Sequence, residues 1–590
     1  MTVENLITEH IDIWTSAVKT KSASGRGSNK KLELYGVKKL RELILELAVR
    51  GKLVPQDPND EPASLLLERI TAKKARLVKE QKIKKPKQLP AISESEIIEE
   101  LPKSWELVRI GCMSTLENGD RSKNYPNKSV LVESGIPFVN AGHLVNSRIN
   151  EAEMTYITQE RFDLLRAGKF NDGDILFCLR GSLGKCAIVE NFGIGAIASS
   201  LVIVKPEKSV IPEYLLKFFE SPLSLSNIRK YDNGTAQPNL SASDLAKFVI
   251  PLPPLNEQHR IVAKVDELMA LCDQLEQQTE DSIEAHQVLV TTLLDTLTNS
   301  ADADELMQNW ARISEHFDTL FTTEESIDQL KQTILQLAVM GKLVPQDPTD
   351  EPASELLKRI AEEKAQLVKE KKIKKQKALP PISEDEKPFT LPSGWEWCRF
   401  GNVFVDLKYG TSKKSDYKMD GSPVLRIPNV VGGRVDLSDL KYSVMTDKEL
   451  VDYQLQQGDL LLIRSNGSLG IVGRCTVVNN DLVNTVYAGY LVRARILPDT
   501  VNSHYVKSVL DSHDVRRQIE GPIRTTSGVK NVNSTELSSL LIPVAPACEQ
   551  LRINEKIIEL HAMCDQLKQH LYGNQQTSLQ LTDAIVEQAV

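Results

Sequence analysis

The chain is written twice. Residues 53–64 read LVPQDPNDEPAS and residues 343–354 read LVPQDPTDEPAS, so 11 of 12 positions agree at a separation of 290. The agreement extends both ways. Leu40, Ile44, Leu47 and Gly51 return as Leu330, Ile334, Leu337 and Gly341, and Leu101-Pro102 with Trp105 and Gly111 returns as Leu391-Pro392 with Trp395 and Gly401. Further on, IPLPPLNEQHRI (250–261) is answered by IPVAPACEQLRI (542–553), now 292 residues away. Solenoid repeats run to some tens of residues, so a period this long is a duplication of whole domains. Two such halves are expected to pack about a pseudo-two-fold axis; the alternative is an inert tandem copy.

Each half has the same internal order. A helical hairpin comes first: Leu40, Leu43, Ile44 and Leu47 have helical spacing, Gly51 and Pro55 stop the helix, and Asp60 with Pro62 can start the next. That helix runs into basic stretches, KKARLVKEQKIKKPK (73–87) and KAQLVKEKKIKKQK (364–377). A Pro/Ser/acid linker follows, then a Trp-bearing segment opening a mixed domain that ends at Pro254 or Pro546. Inside the mixed domains, β-rich runs are broken by Gly and Asn: DILFCL (174–179), CAIVE (186–190), AIASSLVIV (196–204), DLLLIR (459–464), IVGRCTVV (471–478) and GYLVRARI (489–496). SNGSLG (465–470) has the composition of a hairpin turn, and EYLLKFFES (213–221) reads as a helix. The fold class is α+β. After each mixed domain a helix carries a heptad seam, Ile261, Val265, Leu268, Cys272 and Leu275 in one half and Ile553, Ile557, Leu560, Cys564 and Leu567 in the other. The two helices are expected to pair as an antiparallel coiled coil, or else the seam glues a homodimer. The expected divisions are an N-terminal helical region (1–100), a first mixed domain (101–254), a central helical region (255–390), a second mixed domain (391–546) and a C-terminal helix (547–590).

Composition removes several classes. With 41% hydrophobic residues, 30 Gly and 28 Pro in 590, the chain is globular rather than collagen-like or disordered, and long enough for about four domains. The net charge of −8 argues against a nucleic-acid binder working by bulk charge. Its distribution changes that, because residues 101–250 come to +1 and 391–545 to +2, leaving −11 on the rest. Any polyanion surface must be local. The eight cysteines are scattered with no C-x-x-C pair, which fits a reducing cytoplasm and neither a disulfide framework nor zinc. No run of 18 apolar residues occurs, so no membrane span is expected.

Catalytic motifs are missing. GSLGKC (181–186) has the lysine of a phosphate loop but too short a glycine span and no following hydroxyl. FGIG (192–195) has the wrong spacing for a methyl-donor turn, and no Asn/Asp-Pro-Pro-aromatic segment appears. H-E-x-x-H and G-x-S-x-G are absent. The acid clusters Asp57/Asp60/Glu61 and Asp347/Asp350/Glu351 lie at a helix start and read as capping and loop solvation.

Two different α+β domains, each opening with LPKSWELVRIG (101–111) or LPSGWEWCRFG (391–401) and closing with the Ile-Pro…Glu-Gln-x-Arg-Ile segment before a long helix, resemble the specificity subunit of type I restriction-modification systems. The resemblance covers nearly the whole chain, and the PQDP hairpin is similar to the type IB branch. It implies two target recognition domains, each reading one half of a bipartite double-stranded DNA site, and helices that set the unspecified spacer. It also implies docking of two modification subunits that use S-adenosylmethionine, with restriction subunits adding ATP- and Mg-dependent translocation and cleavage. This chain would then bind no cofactor and catalyse nothing itself. A helix from about 256 to 295 would measure about 60 Å, ample against the roughly 34 Å between half-sites one turn apart. A coiled-coil protein adaptor is the rival from another class, and a DNA-modifying enzyme with an atypical site is a third.

Base reading needs polar side chains projected into a groove, with cations on phosphates beside them. Three loop pairs qualify as DNA-binding candidates. The first is NGDRSKNY (118–125), with Asn118, Asp120, Arg121 and Lys123, against KYGTSKKSDY (408–417), with Lys408, Tyr409, Thr411, Ser412, Lys413 and Lys414; each contains a glycine that admits close approach. The second sets Arg180, Ser182 and Lys185 against Arg464, Asn466 and Ser468. The third sets Thr235, Gln237 and Asn239 against Lys530 and Asn531. An ordinary exposed polar loop accounts equally well for any single residue. The basic runs Lys82, Lys84, Lys85, Lys87 and Lys372, Lys374, Lys375, Lys377 could meet phosphate or an acidic partner, but a solvated face is the commoner role of such runs.

Overall fold

The computed structural model describes residues 3–21, 31–81, 88–98, 100–234, 238–521, 524–526 and 529–590. It divides into two compact units, residues 1–282 with 574–590, and residues 283–573. Each unit contains a helical hairpin, a mixed domain and parts of both long helices, Leu255–Asn299 and Ala547–Ala589.

In the first unit the hairpin helices are Tyr35–Val49 and Ala63–Lys79. The first ends as its Gly51 predicts: at φ +71 the glycine takes a left-handed turn, Lys52 N donates back to Leu47 O, and an added Cβ would lie 2.5 Å from Pro102 Cγ. Gly341 repeats this at φ +69, with Lys342 N on Leu337 O. The second helices stop at Lys79 and Lys369. Gln81 and Lys371 then take left-handed φ. The second lysine run therefore lies beyond its helix, where Lys372 pairs with Glu370 at 2.8 Å, and Lys82, Lys84, Lys85 and Lys87 fall outside the described residues.

The central sheet of the first mixed domain has strand order Cys186–Ile188, Ile175–Cys178, Leu201–Pro206, Ser114–Asn118, every neighbour antiparallel. The second domain repeats it as Phe404–Tyr409, Leu491–Ile496, Leu460–Ile463, Cys475–Val477. All strand residues of Ile175–Cys178 and Leu460–Ile463 are buried, which explains their unbroken apolar runs. A second sheet packs beside each. In the first domain its order is Thr155–Ile157, Ile136–Val139, Ile194–Ile197, Lys169–Asn171. The run 196–204, read above as one β-rich stretch, is thus two strands in two sheets, split where Leu201 N bonds Ala198 O in a tight turn of small residues. A small two-stranded sheet closes each domain, Glu106–Arg109 with Val249–Leu252 and Glu396–Arg399 with Leu541–Val544.

Within the first unit, Glu257 and Arg260 meet Gln56 and Asp60 while Glu276 meets Arg41, so residues 255–282 run antiparallel to Tyr35–Val49. Asp583 meets Tyr35 and Val590 meets Lys52, so 574–590 run parallel to it. The two long-helix segments of this unit therefore run in opposite directions. The second unit shows the same order around Glu324–Val339: Lys331–Asp565 and Lys568–Asp328 on one side, Gln287–Glu325 and Lys342–Thr298 on the other. The heptad residues Ile553, Ile557 and Cys564 are buried in one cluster with Leu330, Ile334, Val290, Leu294 and Leu297. The hairpin helix thus packs against both long-helix segments of its unit, which run in opposite directions as the heptad seams predict.

Candidate nucleic-acid interface

The repeated motifs form the frame that holds the loops. Trp105 Nε1 donates to Glu257 at 3.0 Å, and Trp395 Nε1 donates to Glu549 at 3.0 Å. Gln56 and Gln346 donate to the same two carboxylates. Burial pushes both carboxyls above the usual carboxylate range, and these hydrogen bonds hold the shift in check. The adjoining glutamines, Gln258 and Gln550, accept from Ile211 N and Asn502 N and donate to Pro253 O and Ala545 O. Asp60 and Asp350 correct the capping reading. The helices that follow begin at Ala63 and Ala353, after Pro62 and Pro352 at the N-cap and with no side-chain cap, and the two aspartates, 8% exposed in Asp60, pair with Arg260 at 2.7 Å and Arg552 at 2.6 Å. Asp57 and Asp347 do organise their loops, accepting from Asn59 N and Thr349 N. Arg109 and Arg399 fasten the linker, donating to Pro90 O and Ala91 O in one half and Pro380 O and Pro381 O in the other, each with Glu96 or Glu386.

On this frame the three candidate loops of each half gather at one end of the central sheet. Asn118 pairs with Val202, and Cys178 with Leu201, so the chain leaves both flanking strands at the same end. Tyr409 with Val492 and Ile463 with Leu491 reproduce this. The third loop is tied to the second: Arg180 and Asn239 form a bridge, with Arg180 Nε on Asn239 Oδ1 at 3.1 Å, and Leu240 N donates to Leu179 O. In the other half Ser465–Asn466 pairs with Val529–Asn531, and Val532 N donates to Arg464 O.

The individual candidates separate into three groups. Asn118, Arg121, Lys123, Arg180, Ser182, Lys185, Ser412, Lys414 and Ser468 are exposed, and Asn239, Asn466, Lys530 and Asn531 half-buried. Among the described residues Arg121, Lys123, Lys185, Lys414 and Lys530 have no ion-pair partner. Lys408 and Lys413 are already paired, with Asp452 at 2.9 Å and Glu449 at 2.6 Å. Asp120 and Thr411 turn inward. Each is 4% exposed and bonds the backbone two residues on, Ser122 N and Lys413 N, and Asp120 also accepts from Arg166 N. Burial works to raise the Asp120 pKa, and these donors outweigh it and hold the carboxyl below its usual range. Both residues shape their loops from within. Thr235 and Gln237 lie outside the described residues.

The loop glycines do admit close approach, but of the protein's own backbone. A Cβ on Gly119 would sit 2.8 Å from Ala198 O, and one on Gly410 2.3 Å from Ala488 O. Sequence reasoning missed the contacts that immobilise the second face: Ser534 N donates to Tyr409 Oη at 2.9 Å, and the Arg464 guanidinium lies 4.6 Å from the Tyr409 ring centroid. Asn533 and Glu536, which form a capping box here, carried a legible N-x-x-E signal. The pairing of Tyr409 with Arg464 had none.

Comparison with known proteins now bears on this site. Residues 102–285 match the type I restriction modification DNA specificity domain family. The whole chain aligns with the whole of the type I restriction enzyme EcoAI specificity subunit of Escherichia coli at 44% identity over 605 residues. It belongs to the type I restriction enzyme specificity subunits. The EcoEI specificity subunit of the same organism is also 44% identical, over 615 residues and the full length of both chains. Among solved structures, the HsdS subunit from Thermoanaerobacter tengcongensis is 18% identical, covering 83% of this chain and 97% of that one, with a TM-score of 0.40. For a specificity subunit the frame and the loops divide naturally: the contacts of the frame recur residue for residue in both halves, while the loops at the sheet ends differ. Among the described residues no cluster of His, Cys, Asp and Glu could hold a metal ion, and no helix is long and apolar enough to cross a membrane.

Proposed function

We propose that the loop-bearing ends of the two central sheets each read one half of a bipartite, asymmetric double-stranded DNA site. One observation carries this. In both halves three loops from distant stretches of sequence meet at the same end of the same sheet, and there, on an otherwise repeated frame, the residues at matching register diverge: Asn118, Leu179 and Arg180 against Tyr409, Arg464 and Ser465. Unpaired cations beside them, Arg121, Lys123 and Lys185 in one half and Lys414 and Lys530 in the other, suit phosphates that position the duplex. In this reading the long helices set the spacer between half-sites, and the repeated helical surfaces dock two modification subunits in a cytoplasmic complex. The partners supply methylation from S-adenosylmethionine and ATP- and Mg-dependent cleavage, and this chain supplies none. A protein-only adaptor would have no use for unlike polar loops on like frames.

The test is selection of bound duplexes from a random pool by the chain assembled with its modification subunit. Two unlike short motifs at a fixed gap are expected. Enrichment of one symmetric motif, or of none, would sink the reading.

A further inference from the structure

The second loop face contains a side-chain arrangement with no counterpart in the first. Arg464 follows the buried strand Leu460–Ile463, and its backbone is held on both sides: its N–H donates to Tyr490 O at 2.8 Å and its carbonyl accepts from Val532 N at 3.0 Å. The guanidinium lies over the Tyr409 ring, and Tyr409 is fixed in turn by the hydrogen bond its hydroxyl accepts from Ser534 N. Arg464 Nε is buried with no hydrogen-bond partner, and so is Oδ1 of Asn531, which pairs with the next residue, Ser465. Two orphaned polar atoms on adjacent rungs mark a place where the protein alone leaves its hydrogen bonding incomplete. Other arginines of this domain are spent on carboxylates: Arg474 on Asp511, Arg493 on Asp406, Arg495 on Asp459 and Arg516 on Glu520. Arg464 has no ion pair among the described residues, and the matching position of the first domain is Leu179, whose N–H donates to Ser200 O and whose carbonyl accepts from Leu240 N.

We propose that Arg464, stacked on Tyr409, reads a guanine in the half-site of the second domain. Stacking on the ring and burial of Nε fix the plane of the guanidinium, so the terminal NH2 groups are left as its projecting donors. A planar donor fork matches the two major-groove acceptors of guanine, O6 and N7, and no other base offers two acceptors there. Tyr409 acts through Arg464 and is a positioning residue.

This inference rests on the proposed function above. Its test maps adenine methylation in a genome where the chain is expressed with its modification subunit, comparing wild type, Arg464→Lys and Tyr409→Phe. Wild type should show a guanine in one half whose identity Arg464→Lys relaxes by roughly tenfold or more, the discrimination expected of one bidentate contact, with the other half unchanged. Tyr409→Phe keeps the ring and should keep the guanine. A wild-type motif with no guanine in the half governed by the second domain overturns the inference whether or not the variants fold, and so does an Arg464→Lys motif identical to wild type. A wild-type protein giving no bipartite motif would instead remove the underlying function.

Discussion

Counterion release gives the loop faces a quantitative signature. In the first domain Arg121, Lys123 and Lys185 are exposed and unpaired at the sheet end. Each phosphate neutralised contributes about 0.9 to the slope of log K against log salt, so replacing all three by alanine should flatten the slope by up to about 2.7. Salt rising fourfold, from about 50 to 200 mM, would then narrow the affinity gap between wild type and variant by about 40-fold, and single variants should fall in proportion. Lys73→Ala is the control, because that lysine is away from the sheet end and already paired with Glu207 at 2.8 Å. Fluorescence anisotropy on the chain bound to its modification subunit, with cognate and scrambled duplexes, reads these slopes. The loss should be the same for both duplexes. An unchanged slope, or a loss confined to the cognate duplex, would refute the assignment of these cations to phosphates.

Other perturbations address the frame. Asp350→Ala strands Arg552 and removes a half-buried charge-assisted hydrogen bond, and should lower stability by about 1.5 kcal/mol in urea unfolding; no loss would contradict a structural role for this pair. The Asp60 carboxyl is held below its usual range by Arg260, so the stability it contributes is present at neutral pH and declines as pH falls below about 4. Glu549 has the opposite sign. Its raised pKa favours the protonated form, so its contribution is present below about 4 and is lost as pH rises. Glu549→Gln, neutral throughout, should therefore gain on wild type between pH 4 and 7; a pH-independent difference would show that the carboxyl is not desolvated. Gly410→Ala drives a Cβ into Ala488 O and should displace the loop, weakening selectivity for one half-site only; methylation unaffected in both halves would count against the close packing described.

The duplication, the mixed domains and the buried strands were legible because they are local or repeated patterns. Ile175–Cys178 and Leu460–Ile463 announce themselves as apolar runs bounded by turn residues. What failed depended on distance in sequence. Glu257 is conspicuous in the Glu-Gln-x-Arg motif, yet its partner Trp105 lies 152 residues away. Asp60 has the composition of a helix cap, but Arg260, a half-buried arginine on another helix, competes for it and wins. Asp120 and Thr411 stand among polar neighbours with nothing to show that they alone turn inward, although an Asx-type bond to the residue two on is an ordinary habit of aspartate. The run 196–204 has no Gly or Pro at its break, so its division between two sheets was invisible.

The most direct measurement replaces residues 391–546 with the corresponding segment of a relative and maps methylated adenines genome-wide. Two independent reading faces on a shared frame require that one half-motif change while the other half and the gap persist. Simultaneous change of both halves would show that the faces do not read separately.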